Sequence, residues 1–154
     1  MKLAENVEPR TSNAELLRSV LLVEEVPSSE CLNHKPRKHD LEDRLLAFAV
    51  EIVDLTESLP NTRAANHIAG QLLRSGTSPY GNHGESESAE SRKDFIHKLK
   101  VCLKELRETR RWLRLLARLK KIKPPATLPT CLNVGEELIR IFVASIRTAE
   151  RNNS

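Results

Sequence analysis

From Leu41 onward, apolar residues recur every three or four positions. Leu41, Leu45, Phe48, Ile52, Leu55 and Leu59 step by 4, 3, 4, 3 and 4, which puts them on one face of a helix. Asp40 suits the N-cap, and Glu42 and Asp43 suit the positive end of the helix dipole. Pro60 closes the run. The pattern predicts a first helix over about 40–59. A second, over about 61–86, carries Ala65, Ile68, Leu72 and Leu73. Pro79 interrupts it by removing one backbone donor, so a kink is expected there. The third pattern is the longest: Phe95, Leu99, Cys102, Leu106, Thr109, Leu113 and Leu116 alternate steps of four and three. Ile96, Leu103 and Trp112 widen its stripe, and Ser91 with Asp94 resembles a capping pair. It predicts a helix over about 91–122, ended by Pro124 and Pro125. Val134, Leu138, Ile141, Phe142, Ser145 and Thr148 or Ala149 define a fourth, over about 133–151. Glu136 and Arg140 form a favourable i,i+4 pair on it. Four amphipathic helices with short connections predict an all-α, up-down-up-down four-helix bundle.

The string Gln71 to Glu85 breaks this greasy regularity. Ser75, Gly76, Thr77 and Ser78 leave little side-chain bulk, so another backbone is expected to approach closely there. Arg74, Asn82, Glu85, Glu105 and Glu108 place polar groups along the second and third helices. They read as a buried ion-pair network that sets helix register, because unpaired burial costs about 1–3 kcal/mol per group.

Residues 1–39 differ in character, with Pro9, Pro27 and Pro36 and many polar positions. They read as a flexible, mostly disordered extension. Within 13–26, Leu16, Leu17, Val20, Leu21 and Val23 are spaced for two or three helical turns that Pro27 would stop. Such a helix is too short to stand alone in water. The alternative to disorder is a helix that docks on a protein partner or a neighbouring subunit.

The chain has 154 residues, enough for one domain with a real core, and only five aromatic Trp, Tyr or Phe residues. Its core is therefore expected to be Leu, Ile, Val and Ala. No apolar run is long enough for a membrane span, and no secretory signal is visible. Three cysteines, none in a CxxC pair, fit free thiols in a reducing cytoplasm.

Charge changes the picture most. Residues 92–123 carry thirteen Lys/Arg against three acids, a net of +10 in a chain whose total is +4. Arg107, Arg110, Arg111, Arg114, Arg118 and Lys121 follow helical spacing, so much of this charge lies on one side of the third helix, and Lys120 is a further candidate contact. Two readings stand open. The row binds the phosphates of RNA or DNA, with salt-sensitive affinity. Or it is a solvated face, partly paired to acids on neighbouring helices. Scarce aromatics argue against base stacking on single strands.

Catalysis has weaker support. Arg74 with Glu105 and Glu108 could in principle do acid–base work, yet no nucleophile–base pairing is evident. The nearest match to a di-iron Glu-x-x-His template is Asp94 with His97, once and with Asp for Glu. His67 and His83 have no i,i+4 partner. No P-loop and no strand-linked GxGxxG occurs. No enzyme activity, metal or cofactor is expected.

Three strings carry a resemblance: LEDRLLAFAVEIVDLTESLPNT (41–62), IAGQLLRSGTSPYGNHGE (68–85) and AESRKDFIHKLKVCLKELRETRRWLRLL (89–116). They resemble the four-helix-bundle proteins linked to 23S ribosomal RNA intervening sequences, over roughly residues 40–150. His83 and Gly84 stand where that family places an aromatic or apolar residue and then Ala. The resemblance implies a bundle without enzymatic activity that assembles as a homo-pentamer. It also extends to the accessory proteins of diversity-generating retroelements, in which a basic pentamer is held to engage nucleic acid and a reverse transcriptase. The expectation is a cytoplasmic, homo-oligomeric bundle that binds RNA or DNA backbone. The alternative is a protein–protein scaffold ring, with residues 1–39 as its hook.

Overall fold

The computed structural model describes residues 40–151. The expected short helix within 13–26 lies outside them. Four helices follow in order: α1 (Asp40–Glu57), α2 (Arg63–Glu87), α3 (Arg92–Leu116) and α4 (Leu128–Arg151). Each packs against its neighbour in the chain, and α4 returns against α1. That closes the up-down-up-down bundle predicted from the four stripes. No strand occurs among the described residues.

The stripes meet as the periodicity demands. Leu45, Phe48, Ile52 and Leu55 of α1, Phe95, Leu99, Leu106 and Leu113 of α3, and Leu138 and Phe142 of α4 are all at most 1% exposed. Asp40, expected as the N-cap of α1, stands inside the helix itself. The expected Ser91 cap forms, its hydroxyl accepting from Asp94 N at 3.1 Å, and Thr62 caps α2, its hydroxyl accepting from Ala65 N at 3.2 Å. Each satisfies an N–H that the helix itself cannot.

Both ends of the α3–α4 connection differ from expectation. α3 stops at Leu116, six residues short of the expected 122. Arg118 N and Leu119 N instead bond Leu115 O and Leu116 O, a tighter turn. The chain then bends inward and buries Ile122 in the core. α4 begins at Leu128 rather than near 133. Pro129 occupies its first turn, where the missing N–H costs nothing. The early start lets Leu128 and Cys131 join the core. α1 ends at Glu57, because the residue before Pro60 avoids the helical region.

α2 runs unbroken through Pro79. Around it, side chains bond back to the helix carbonyls: Ser75 to Gln71 O at 2.9 Å, Thr77 to Leu73 O at 2.6 Å and Asn82 to Ser78 O at 2.9 Å. The Cys102 thiol points at Pro79 O from 3.6 Å. The small residues serve α1 and α3 differently. Thr109 Oγ1 lies 3.0 Å from Ser75 Oγ, joining α2 to α3 inside the core. At Gly76 the close neighbour is a side chain rather than a backbone: an added Cβ would meet Ile52 Cγ2 at 2.7 Å and Cγ1 at 3.0 Å. Ile52 is β-branched and stiff in a helix, so it cannot swing away. Overpacking of about 1–3 kcal/mol should outweigh the roughly 1 kcal/mol that Ala gains over Gly in a helix. Gly76→Ala is therefore expected to lower the unfolding midpoint in urea. I52A should relieve the loss, making the double mutant milder than the sum.

Candidate functional site

The basic segment divides along α3. In its first half Arg92, Lys98 and Lys100 tie helices together, while Lys93 stands exposed. Arg92 donates to Ala149 O on α4 through Nε at 3.1 Å and Nη2 at 2.8 Å. Lys98 pairs with Glu85 of α2, and that bond holds its ammonium above the ordinary value. Lys100 meets Glu150 of α4 at 2.7 Å.

From Arg107 onward the pattern changes. Arg107, Arg111 and Arg114 are exposed on α3, and Arg118, Lys120, Lys121 and Lys123 are exposed on the turn beyond it. None of these seven forms an ion pair with a described residue. Arg110 is the exception. Its Nη1 sits 3.0 Å from both carboxylate oxygens of Glu136, and its Nε is buried without a partner. Its position on the α4 side of α3 takes it out of the exposed row. The pair also corrects the expected Glu136–Arg140 contact, since Glu136 turns to α3 instead. Replacing Arg110 by Gln should leave surface chemistry intact. It should loosen the α3–α4 seam by about 1 kcal/mol, readable as a small drop in thermal midpoint.

The five polar residues do not form one network. Arg74 joins Glu108 at 2.6 Å, but its side chain is 61% exposed. Glu85 belongs to Lys98, and Asn82 bonds only its own helix. Glu105 is buried, with Lys104 Nζ 3.8 Å away. Neighbouring helices meet at separate levels, so the five are spread along the α2–α3 seam. Arg44–Glu137 at 2.7 Å bridges α1 to α4 in the same manner.

The carboxylates show no convergent arrangement. A groove of about 750 Å³ on the outer side of α3 is bordered by Glu108 but by neither Glu85 nor Glu105. No group of three His, Cys, Asp or Glu among the described residues could hold a metal. Burial pushes the Cys102 thiol up to about 12 and the Cys131 thiol up to about 11. Neither is a nucleophile at neutral pH. Both should resist a thiol reagent in the native fold and react only on unfolding. Cys31 lies outside the described residues.

Two surface features went unread in the sequence. Leu46, Val50 and Val53 form an exposed apolar row on α1. Their 4, 3 spacing was there to see, but it runs beside the seam that claimed the core. The α3 groove was hidden because Leu103 and Trp112 fit the core stripe and do pack with the core, yet they also line the groove beside the 44% exposed Leu115.

No described helix is long and apolar enough to cross a membrane. Comparison with the curated proteins finds no match. Among solved structures, the chain is similar to a protein of unknown function from the S23 ribosomal protein family of Bacteroides thetaiotaomicron VPI-5482. That likeness has 39% identity and a TM-score of 0.63, and it covers 70% of this chain and 95% of the other. Residues 37–142 match the family described as 23S rRNA-intervening sequence protein. With the stripes, the bundle and that match in agreement, the chain belongs to the 23S rRNA-intervening sequence protein family.

Proposed function

We propose that this chain is a non-enzymatic, cytoplasmic helical bundle that binds the backbone of RNA or DNA. The contact surface is Arg107, Arg111, Arg114, Arg118, Lys120 and Lys121, with Lys123 added and Arg110 removed. One observation carries the reading: these cations cluster, exposed and without an ion pair to a described residue, on the second half of α3 and the turn beyond it, while Lys98, Lys100 and Arg110 of the same helix are engaged with acids on neighbouring helices. Like charges packed at helical spacing repel one another. A phosphate backbone turns that repulsion into attraction by releasing its own counterions. The expected binding is shape- and charge-driven, with little sequence preference.

The proposal includes self-assembly, which the family resemblance puts at five copies. It is supported by the row Leu46, Val50 and Val53, an apolar strip that a second copy would cover. Placing Glu at Val50 should shift the light-scattering mass toward the single chain. If wild type is already monomeric, the assembly part falls. Anisotropy titration of labelled RNA and DNA duplexes tests the binding part, and saturable binding of both is expected. A nuclease-resistant protein complex with no affinity for either duplex would favour the scaffold reading instead.

A further inference from the structure

The groove on α3 has a feature that phosphate binding does not use. Beneath its cationic rim of Lys104, Arg107 and Arg111 lies an apolar floor of Leu103, Leu115 and Ile146, with Trp112 as a wall. A backbone of phosphates and sugars has nothing to lay on that floor. An acidic amphipathic helix does, since it offers apolar anchors at i and i+4 and carboxylates at the edges. We infer that residues 14–26 of this same chain dock in the groove and screen the basic surface. The segment carries Leu16, Leu17, Val20, Leu21 and Val23, with Glu15, Glu24 and Glu25 against a single cation, Arg18.

Reach and charge select this occupant and this groove. Pro27 to His39 provides thirteen residues of chain before α1, a span of up to about 43 Å at 3.3 Å per residue. Crossing from α1 to the diagonal helix takes two helix spacings, roughly 20 Å. The lower edge of the groove at Lys100 lies about 12 Å along α3 from its start at 1.5 Å per residue. The linker therefore reaches without strain. The exposed apolar row on α1 is a poor competitor, because Asp43, Asp54 and Glu57 stand exposed on the same helix and repel an acidic segment. Docked, the segment lays its carboxylates beside cations that a nucleic acid would otherwise occupy. The inference rests on the groove alone and holds whether or not nucleic acid binds.

Trp112 is the one tryptophan of the chain, so its fluorescence reports on the groove directly. In the full-length protein, L17E/L21E should increase acrylamide quenching and shift emission to the red, with the thermal midpoint lowered by only a few degrees, because a docked segment stabilises the native fold it binds. E24K/E25K should do the same, and R107E/R111E added to it should restore the shielding. If nucleic acid binds, releasing a segment docked about 90% of the time should tighten apparent affinity roughly tenfold. Unchanged quenching in L17E/L21E overturns the docking. Shielding that disappears on dilution also overturns it, assigning the contact to a second copy. Trp112 exposed on release, with no nucleic-acid binding in any variant, supports the docking and removes the nucleic-acid reading.

Discussion

Replacing Arg107, Arg111, Arg114 and Arg118 together by Gln is expected to abolish most affinity for duplex RNA or DNA. Four charge-assisted contacts at about 1 kcal/mol each correspond to a loss of roughly 10²–10³-fold. The dependence of log K on log salt should flatten by about 3–4, since each lost phosphate contact removes about 0.9 from the slope on B-form DNA. The informative control takes charges from the same helix: Lys98, Lys100 and Arg110 changed to Gln. These are engaged with Glu85, Glu150 and Glu136. Their loss should cost stability and change affinity only a few-fold through the weaker long-range field. Equal losses from both sets would mean that net charge alone drives binding and that the divided helix has no functional meaning.

His83→Leu is expected to stabilise the fold and to remove its acid sensitivity. His83 is 2% exposed, and neither ring nitrogen has a hydrogen-bond partner among the described residues. It stands edge-on to Phe142, with ring centroids 6.4 Å apart. Burial holds its pKa below the ordinary 6.5, only partly offset by Glu87 on its own helix and Glu42 on α1. The unfolded chain therefore takes up a proton near pH 6.5 that the folded chain resists. Stability is full above that value, falls as the pH drops below it, and levels off once the folded imidazole is itself protonated. A leucine removes both the unsatisfied nitrogens and the titration. At pH 7 the gain should be about 1–3 kcal/mol, or several degrees in thermal midpoint for a domain of this size, at roughly 4 °C per kcal/mol. Between pH 7 and 5 the wild type should lose midpoint faster than H83L. Parallel curves for the two would show that His83 is solvated or bonded in solution.

How much of this was legible in the sequence follows from what each feature depends on. The seams of α1 and α3 were readable because a step of 3.5 is a property of one segment alone. Ser91 was readable as a cap for the same reason. The ends of the α3–α4 connection were not. Pro129 breaks a helix in mid-run but is harmless in a first turn, and residue type does not say which applies. Ile122 ended α3 by burying itself, an event decided by the core. The charge excess of residues 92–123 was visible at once, whereas its division was not. Whether an arginine is engaged depends on which acid a neighbouring helix presents at that level, as Glu136 does for Arg110. The same dependence scattered the five polar residues of α2 and α3 into separate pairs.

The far end of α3 is proposed here as a polyanion surface. Its most direct test is the affinity of the full-length protein for a short duplex, measured across a range of monovalent salt. A linear fall of log K with log salt is expected, with a slope of about −3 to −4 per bound row of four cations. A flat line, or no binding at the lowest salt, would contradict it.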